Sequence, residues 1–388
     1  MKTAGRLFSL DLLRGFDMFL LTVIGPLVVA AHRVWKLPPA FMDQFDHHWG
    51  GFTLWDIIMP LFIFLAGVSV PFALTKRLPG SGDATKAGKY WRHVFVRVAL
   101  LWFGGLLVQG ELATLDPLRI NYFNNTLQSI AVGYLIAAAC FALPKRKILC
   151  PVMAFVLALV YGVLLHVLGD YSPHGNFAAL VEGRILTAIL PVHSTVLAQF
   201  NNPASEPYTW YLTSLMFGSM ALCGVGCGTL LADHTLKPGV RSAVLLGGGA
   251  NLLVIGLSLG GGEAPFIPAI KHIYTVSFTA QAMGWCLLAL ALLEMIPATP
   301  RVQRAFSLIV LYGKCALTAY MVSHFFNPAL RAAAATIAQG VPRFLGDACQ
   351  PFVVAVVSAI LLTFVLVVRL RLRTSRRAVD AERPRMVE

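Results

Sequence analysis

Long apolar stretches almost free of charge alternate along the chain with short polar segments. The apolar runs fall at about 7–31, 54–75, 94–112, 127–143, 148–168, 209–231, 242–260, 275–295, 306–335 and 351–368. Each can cross roughly 30 Å of hydrocarbon as an α-helix, which satisfies its backbone hydrogen bonds internally. The pattern predicts an all-α, polytopic membrane bundle of about ten transmembrane helices. One transmembrane domain is expected over 1–370, followed by a basic cytoplasmic tail over 371–388 with the composition of a disordered segment. The first run carries Asp17 and is followed by no small-residue cleavage site, so it is expected to stay as the first helix.

Composition agrees: with 57% hydrophobic and 13% charged residues the chain is too apolar for a soluble protein. The formal charge of +13 acquires meaning only when sorted by loop. One alternate set of segments holds Lys2, Arg6 and Arg14; Lys76, Arg77, Lys86, Lys89, Arg92 and Arg97; Lys145 to Lys147; Lys237 and Arg241; and Arg301 and Arg304, with seven arginines from Arg369 to Arg385 in the tail. The other set is longer and far less basic. The positive-inside rule therefore places the first set, and both termini, on the cytoplasmic side of an inner membrane. The basic excess is topology, its partner anionic membrane lipid rather than nucleic acid. Seven cysteines scattered mostly inside predicted helices read as packing residues, not as a disulfide framework or a zinc site.

Polar chemistry concentrates in the outer loops, about 32–53, 113–126, 169–208, 261–274 and 336–350. The longest includes an apolar stretch, Phe177 to Leu190, suited to the membrane surface or to a lid. Inner connectors such as the Gly80–Ser81–Gly82 turn are short.

The densest constellation runs from Phe45 to Phe62, where His47 and His48 precede the second helix beside Asp46 and Asp56. An imidazole oriented by a carboxylate can act as a general base or nucleophile. The alternative is an interfacial collar beside Trp49 and Trp55. Asp43 and His47 have a metal-ligand spacing but no third ligand, so no metal is expected. Asp17, Asp56, Lys314 and His324 are ionisable residues inside apolar runs; they should face a polar interior, as ion pairs or as the lining of a substrate path. Asn125 and Gln128 either bind a ligand or, with Asn124, cap the fourth helix. Between Pro268 and Phe278, Lys271, His272 and three hydroxyls including Ser277 could hold a sugar or form another collar.

The segments Leu10–Met18 and His47–Gly67 resemble the heparan-alpha-glucosaminide N-acetyltransferase family. Asn125–Tyr134 is similar to its fourth-helix motif, Lys271–Phe278 to its lysine-to-Ser-Phe segment, and Tyr312–Tyr320 to its Gly-x-Asn-Ala segment. The resemblance spans nearly the whole chain and is closest to bacterial members. It implies transfer of an acetyl group from cytoplasmic acetyl-CoA to an amino sugar or glycan across the membrane, through a histidine of the first outer loop, without a metal. Counted back from Asp56 that histidine falls at Asp46, so a one-residue deletion places it at His47, with His48 as the alternative. One asparagine of the family falls near Gly25, and Cys315 replaces the asparagine of the later motif. On this reading Asp17, Trp49, Asn125, Gln128, Lys271, His272, Ser277, Lys314 and His324 surround the acceptor, and Arg14, Lys76 and Arg77 meet the CoA phosphates. The family also implies a homodimer. The rival expectation is an amino-sugar or oligosaccharide permease, with the same polar residues lining an alternating-access path.

Overall fold

The computed structural model describes residues 8–78 and 84–382. Lys2, Arg6, the Gly80–Ser81–Gly82 turn, Arg383 and Arg385 lie outside them. In chain order the helices are α1 (Phe8–Phe19), α2 (Gly25–Trp35), α3 (Pro39–Met42), α4 (Ile58–Leu74), α5 (Ala84–Gln109), α6 (Thr126–Ala142), α7 (Arg146–Leu168), α8 (Phe177–Ile189), α9 (Thr195–Phe200), α10 (Ser214–Ala232), α11 (Pro238–Gly260), α12 (Val276–Glu294), α13 (Pro300–Ala305), α14 (Ser307–Lys314), α15 (Ala316–His324), α16 (Asn327–Ile337), α17 (Pro342–Leu345) and α18 (Gln350–Glu382). No strand occurs among the described residues.

The chain is an all-α polytopic membrane protein. Among the described residues eight helical segments are long and apolar enough to span a bilayer: Phe8–Trp35, Leu54–Arg77, Thr85–Gln109, Arg146–Leu168, Ser214–Ala232, Pro238–Gly260, Val276–Glu294 and Asp347–Ser375. Helix α6 is apolar but only 17 residues long. The predicted run 306–335 is not one helix. Its backbone leaves the helical region at Cys315 (φ −115°, ψ 21°), and it breaks again before α16, whose first turn holds a proline. The first span is continuous only through a π-helical turn, Leu20–Ile24. The basic tail differs from its composition-based expectation too: α18 carries helix on to Glu382, because the last membrane helix propagates into it.

The described residues divide into two compact units. The first is Asp43–Ile296. Its centre is set by the spans whose surfaces are apolar all round: 78% of the apolar stretch of Leu54–Arg77 is buried, and 67% for both Ser214–Ala232 and Val276–Glu294. The corresponding shares are 22% for Arg146–Leu168 and 17% for Pro238–Gly260, which present their remaining surface to lipid. Helices α4 and α10 approach closely through glycines, since a Cβ at Gly67 would meet the carbonyl of Ala221 and one at Gly224 the carbonyl of Phe64.

The second unit comprises the described residues of Gly5–Met42 and Pro297–Glu388. Here α1 lies against α14, and α2 and α16 lie against α18. Phe19 meets Tyr312 edge-on at 5.2 Å, the Tyr312 hydroxyl is 2.8 Å from that of Thr363, and Trp35 packs on Phe352 at 4.8 Å.

Candidate active site

The polar loop before α4 is organised by one turn. Thr53 precedes the short helical turn Leu54–Ile57; its N–H donates to Asp56 Oδ2 (2.9 Å) and its hydroxyl to the Asp46 carbonyl (3.0 Å). The Asp46 carboxylate in turn accepts the His47 N–H at 2.8 Å. With Oδ2 committed to the backbone, Oδ1 of Asp56 receives two side chains: His47 Nδ1 at 2.7 Å and Lys271 Nζ at 3.2 Å. Lys271 Nζ is also 3.1 Å from each ring nitrogen of His47. Asp56 and Lys271 are buried, while the His47 side chain keeps 33% of its exposure and so faces outward from the cluster.

Lys271 is delivered by a tightly folded loop. The Thr275 hydroxyl donates to the Pro268 carbonyl (2.8 Å) and accepts the Ile270 N–H (3.0 Å), and the Ser277 hydroxyl donates to the same Pro268 carbonyl (3.0 Å). Tyr274 takes a left-handed backbone (φ 46°), which turns the chain into α12. The Tyr161 hydroxyl donates to the Ile273 carbonyl, and the Gly51 N–H to the Ala269 carbonyl (2.8 Å), so the loop is pinned to α7 and to the histidine loop. Burial holds the Lys271 ammonium down to about 8, against the upward pull of Asp56.

His272 fills the space behind this cluster. Its ring lies between Trp49 (5.3 Å) and Tyr208 (4.1 Å), both tilted 32° from it. Burial first, then the neighbouring His47 and Lys271, push His272 down to about 4, so it is a neutral aromatic wall at ordinary pH. The Trp49 indole N–H donates to the Tyr171 carbonyl (3.0 Å), and the Thr209 N–H to the His272 carbonyl (3.1 Å). Three loops predicted to lie on one side of the membrane, 32–53, 169–208 and 261–274, thus meet around His47.

Other residues singled out in the sequence have different surroundings. His48 is exposed and hydrogen-bonds to nothing among the described residues. Asn125 caps α6, accepting from the N–H of Leu127 (2.9 Å) and Gln128 (3.2 Å) and donating to the Gly105 carbonyl (2.7 Å). Gln128 is buried and holds the preceding loop through Asn124 N–H (2.9 Å) and the Tyr122 carbonyl (2.6 Å). Ser277 serves the Lys271 loop, as above.

Asp17, Lys314 and His324 belong to the second unit. Both Asp17 oxygens are buried with no hydrogen-bond partner among the described residues. Lys314 is exposed and stands in the last turn of α14, just before the break at Cys315, where a cation suits the helix end. His324 stacks on Tyr320 at 4.2 Å and bonds its carbonyl at 3.0 Å. Among the three predicted phosphate ligands, Arg77 lines a basic cavity of about 490 Å3 with Lys89, Arg92, His93 and Val96. Lys76 is exposed and does not line it, and Arg14 is 3.7 Å from Asp11 in the second unit.

Sequence reasoning missed Tyr208 and Glu182. Glu182 is buried and its Oε2 accepts the N–H groups of Trp210 and Tyr211, both at 3.0 Å; burial pushes its carboxyl up to about 7. A lone carboxylate within the apolar stretch Phe177–Leu190 was the available signal.

No curated protein matches the chain. The family model described as Heparan-alpha-glucosaminide N-acetyltransferase, catalytic, matches residues 6–243, more than half of the sequence and inclusive of His47 and Asp56. The chain therefore belongs to the heparan-alpha-glucosaminide N-acetyltransferase catalytic family and is an acetyltransferase carried on membrane-spanning helices.

Proposed function

We propose that this acetyltransferase moves an acetyl group from cytoplasmic acetyl-CoA to the amine of an amino sugar or glycan at the opposite face of a bacterial inner membrane, with both termini cytoplasmic. The observation that carries the reading is the 2.7 Å contact of His47 Nδ1 with Asp56 Oδ1. With Asp56 as the carboxylate, the shared proton sits on Nδ1 and the lone pair on Nε2, the arrangement of a general base oriented by an acid. Nε2 takes the acceptor's proton as its nitrogen bonds to the acetyl carbon; the carbon–sulfur bond breaks and the electron pair leaves on sulfur. The Lys271 ammonium, 3.1 Å from Nε2, supplies positive charge where oxygen becomes anionic. An acetylated His47 would use the same lone pair, and trapping it would distinguish that route.

Acetyl-CoA supplies the activated acetyl group. The cavity of Arg77, Lys89, Arg92 and His93 fits its phosphates, because guanidinium and ammonium groups are the side chains that pair with them. Its cations belong to the segments that the positive-inside rule assigns to the cytoplasm. Trp49 and Tyr208, held by the His272 ring between them, form the aromatic wall against which an acceptor sugar lies. A homodimer and bound anionic lipid complete this reading.

The test is transfer from labelled acetyl-CoA to glucosamine by purified protein in liposomes. His47→Ala is expected to lose at least about a hundredfold in rate while still binding CoA, and His48→Ala to keep its activity. Undiminished transfer by His47→Ala would overturn the assignment.

A further inference from the structure

Tyr208 has two surroundings: its ring stacks on His272, and it also lines a separate cavity of about 470 Å3. That volume is within the usual range of small-molecule sites, roughly 300–1,000 Å3. The walls are the end of α5, the 111–124 loop, α8, α9 and the 205–210 segment, and they are pinned together. The Ser194 and Thr195 hydroxyls and the Thr195 N–H donate to one carbonyl, that of Leu118, at 3.0, 3.1 and 2.9 Å. Glu182 ties α8 to Trp210 and Tyr211 through the two 3.0 Å bonds already described.

The lining has a distinct chemistry. Glu111, Glu182 and Glu206 contribute carboxyl groups, Gln109 and Asn124 amides, and Tyr208 and Trp210 aromatic rings. Glu182 is 1% exposed, and Oε2 of Glu111 is buried with no hydrogen-bond partner among the described residues. An acceptor oxygen in that state calls for a donor from outside the chain. Arg119 is the one arginine or lysine in the lining, and its Nε is 3.5 Å from Asp116, which offsets its charge. Carboxylates and amides take the hydroxyl and ammonium donors of a sugar, and aromatic rings take its C–H faces. The carboxylates of Glu111 and Glu206 oppose any ligand carrying its own carboxylate or sulfate, while Glu182, its Oε2 taken by two backbone N–H groups, adds little to that field.

We propose that this cavity binds a sugar unit of the acceptor and selects a neutral or cationic amino glycan over one bearing uronate or sulfate groups. The proposal rests on the reading of the chain as an amino-sugar acetyltransferase. It adds the class of glycan accepted, and it assigns specificity to Glu111 and Glu206, outside the His47 cluster.

Binding is measured on the purified full chain by titration calorimetry without acetyl-CoA. The probes are the β-1,4-linked disaccharide of glucosamine and a disaccharide of glucosamine linked to glucuronic acid. Wild-type protein is expected to favour the first by about tenfold or more, and Glu206→Lys to remove or reverse that preference. Glu206 is exposed, so this variant folds, as its thermal midpoint will verify. Equal affinity of wild type for the two disaccharides, no binding of either, or an unchanged preference in Glu206→Lys, would overturn the proposal. Selective binding by a chain that transfers no acetyl group would leave the cavity assigned and remove the enzymatic reading instead. Transfer to free glucosamine without disaccharide selectivity would do the reverse.

Discussion

The Lys271 ammonium lies 3.2 Å from the Asp56 carboxylate, and the two side chains are only 6% and 3% exposed. Removing Asp56 strands the Lys271 charge away from water, a loss of about 3–5 kcal/mol when a buried pair is broken, whereas removing Lys271 leaves Asp56 its bonds from His47 and Thr53 and costs less. Lys271→Met and Asp56→Asn should each lower the thermal midpoint in detergent. The double variant should lose less than the two losses added, with a coupling of at least about 1 kcal/mol. Additive losses would mean that the two charges do not stabilise each other.

The same lysine predicts an alkaline limb. Burial brings Lys271 from its ordinary 10.5 to about 8, so its positive charge is complete below that pH and is lost above it. Since the folded value is the lower one, the linked stability is present above 10.5 and is lost as pH falls through about 8. Activity runs the opposite way: the proposed transfer needs the ammonium, so kcat should fall as pH rises through about 8. Lys271→Arg keeps its charge throughout and should carry that limb to higher pH. A pH–rate profile with the limb in the same place in both proteins would dissociate Lys271 from it.

His272 predicts an acid limb in stability rather than in rate. Its value falls from 6.5 to about 4 in the fold, so the unfolded chain binds the extra proton in the interval between them. Stability is complete above 6.5 and declines as pH falls towards 4, by up to about 3 kcal/mol for this side chain. His272→Phe keeps a ring between Trp49 and Tyr208 and titrates nothing. Its thermal midpoint should therefore fall less than that of wild type between pH 7 and pH 4.5, by roughly the share that linkage assigns. Parallel falls would show that other groups set the acid limit.

What the sequence made legible follows from which forces are periodic. Apolar runs long enough for a bilayer announce α4, α7, α10, α11, α12 and α18, because lipid demands continuous helix and apolar surface together. The break between α15 and α16 was visible as Pro328, yet the apolar content around it reads as one span. The histidine loop stood out through its polar residues, and the Thr53-x-x-Asp56 spacing foreshadows the turn that fixes Asp56. The arrival of Lys271 between Asp56 and His47 was not legible, since it depends on a loop held both by Thr275 and Ser277 at the start of α12 and by Tyr161 of the distant α7. Nor was the role of Gln128: an amide in the first turn of a helix reads equally as ligand or scaffold until its partners are seen.

Close helix contact around Gly67 supplies the last prediction. Here α4 meets α10 main chain to main chain, and even a methyl group on Gly67 would run into the carbonyl of Ala221. Backbone on both sides leaves no flexible side chain to yield, so the helices must part, and overpacking of this kind costs about 1–3 kcal/mol or more. Both helices belong to the buried centre of the unit that carries His47, and α4 begins just after Asp56, so parting them should also loosen the His47–Asp56 contact. Gly67→Ala is expected to lower the thermal midpoint and Gly67→Val to prevent a monodisperse protein in detergent. Gly239→Ala is the control, because a Cβ there meets nothing within 4 Å. If Gly67→Ala proves as mild as Gly239→Ala, the α4–α10 contact can relax at little cost, and the site does not depend on its tightness.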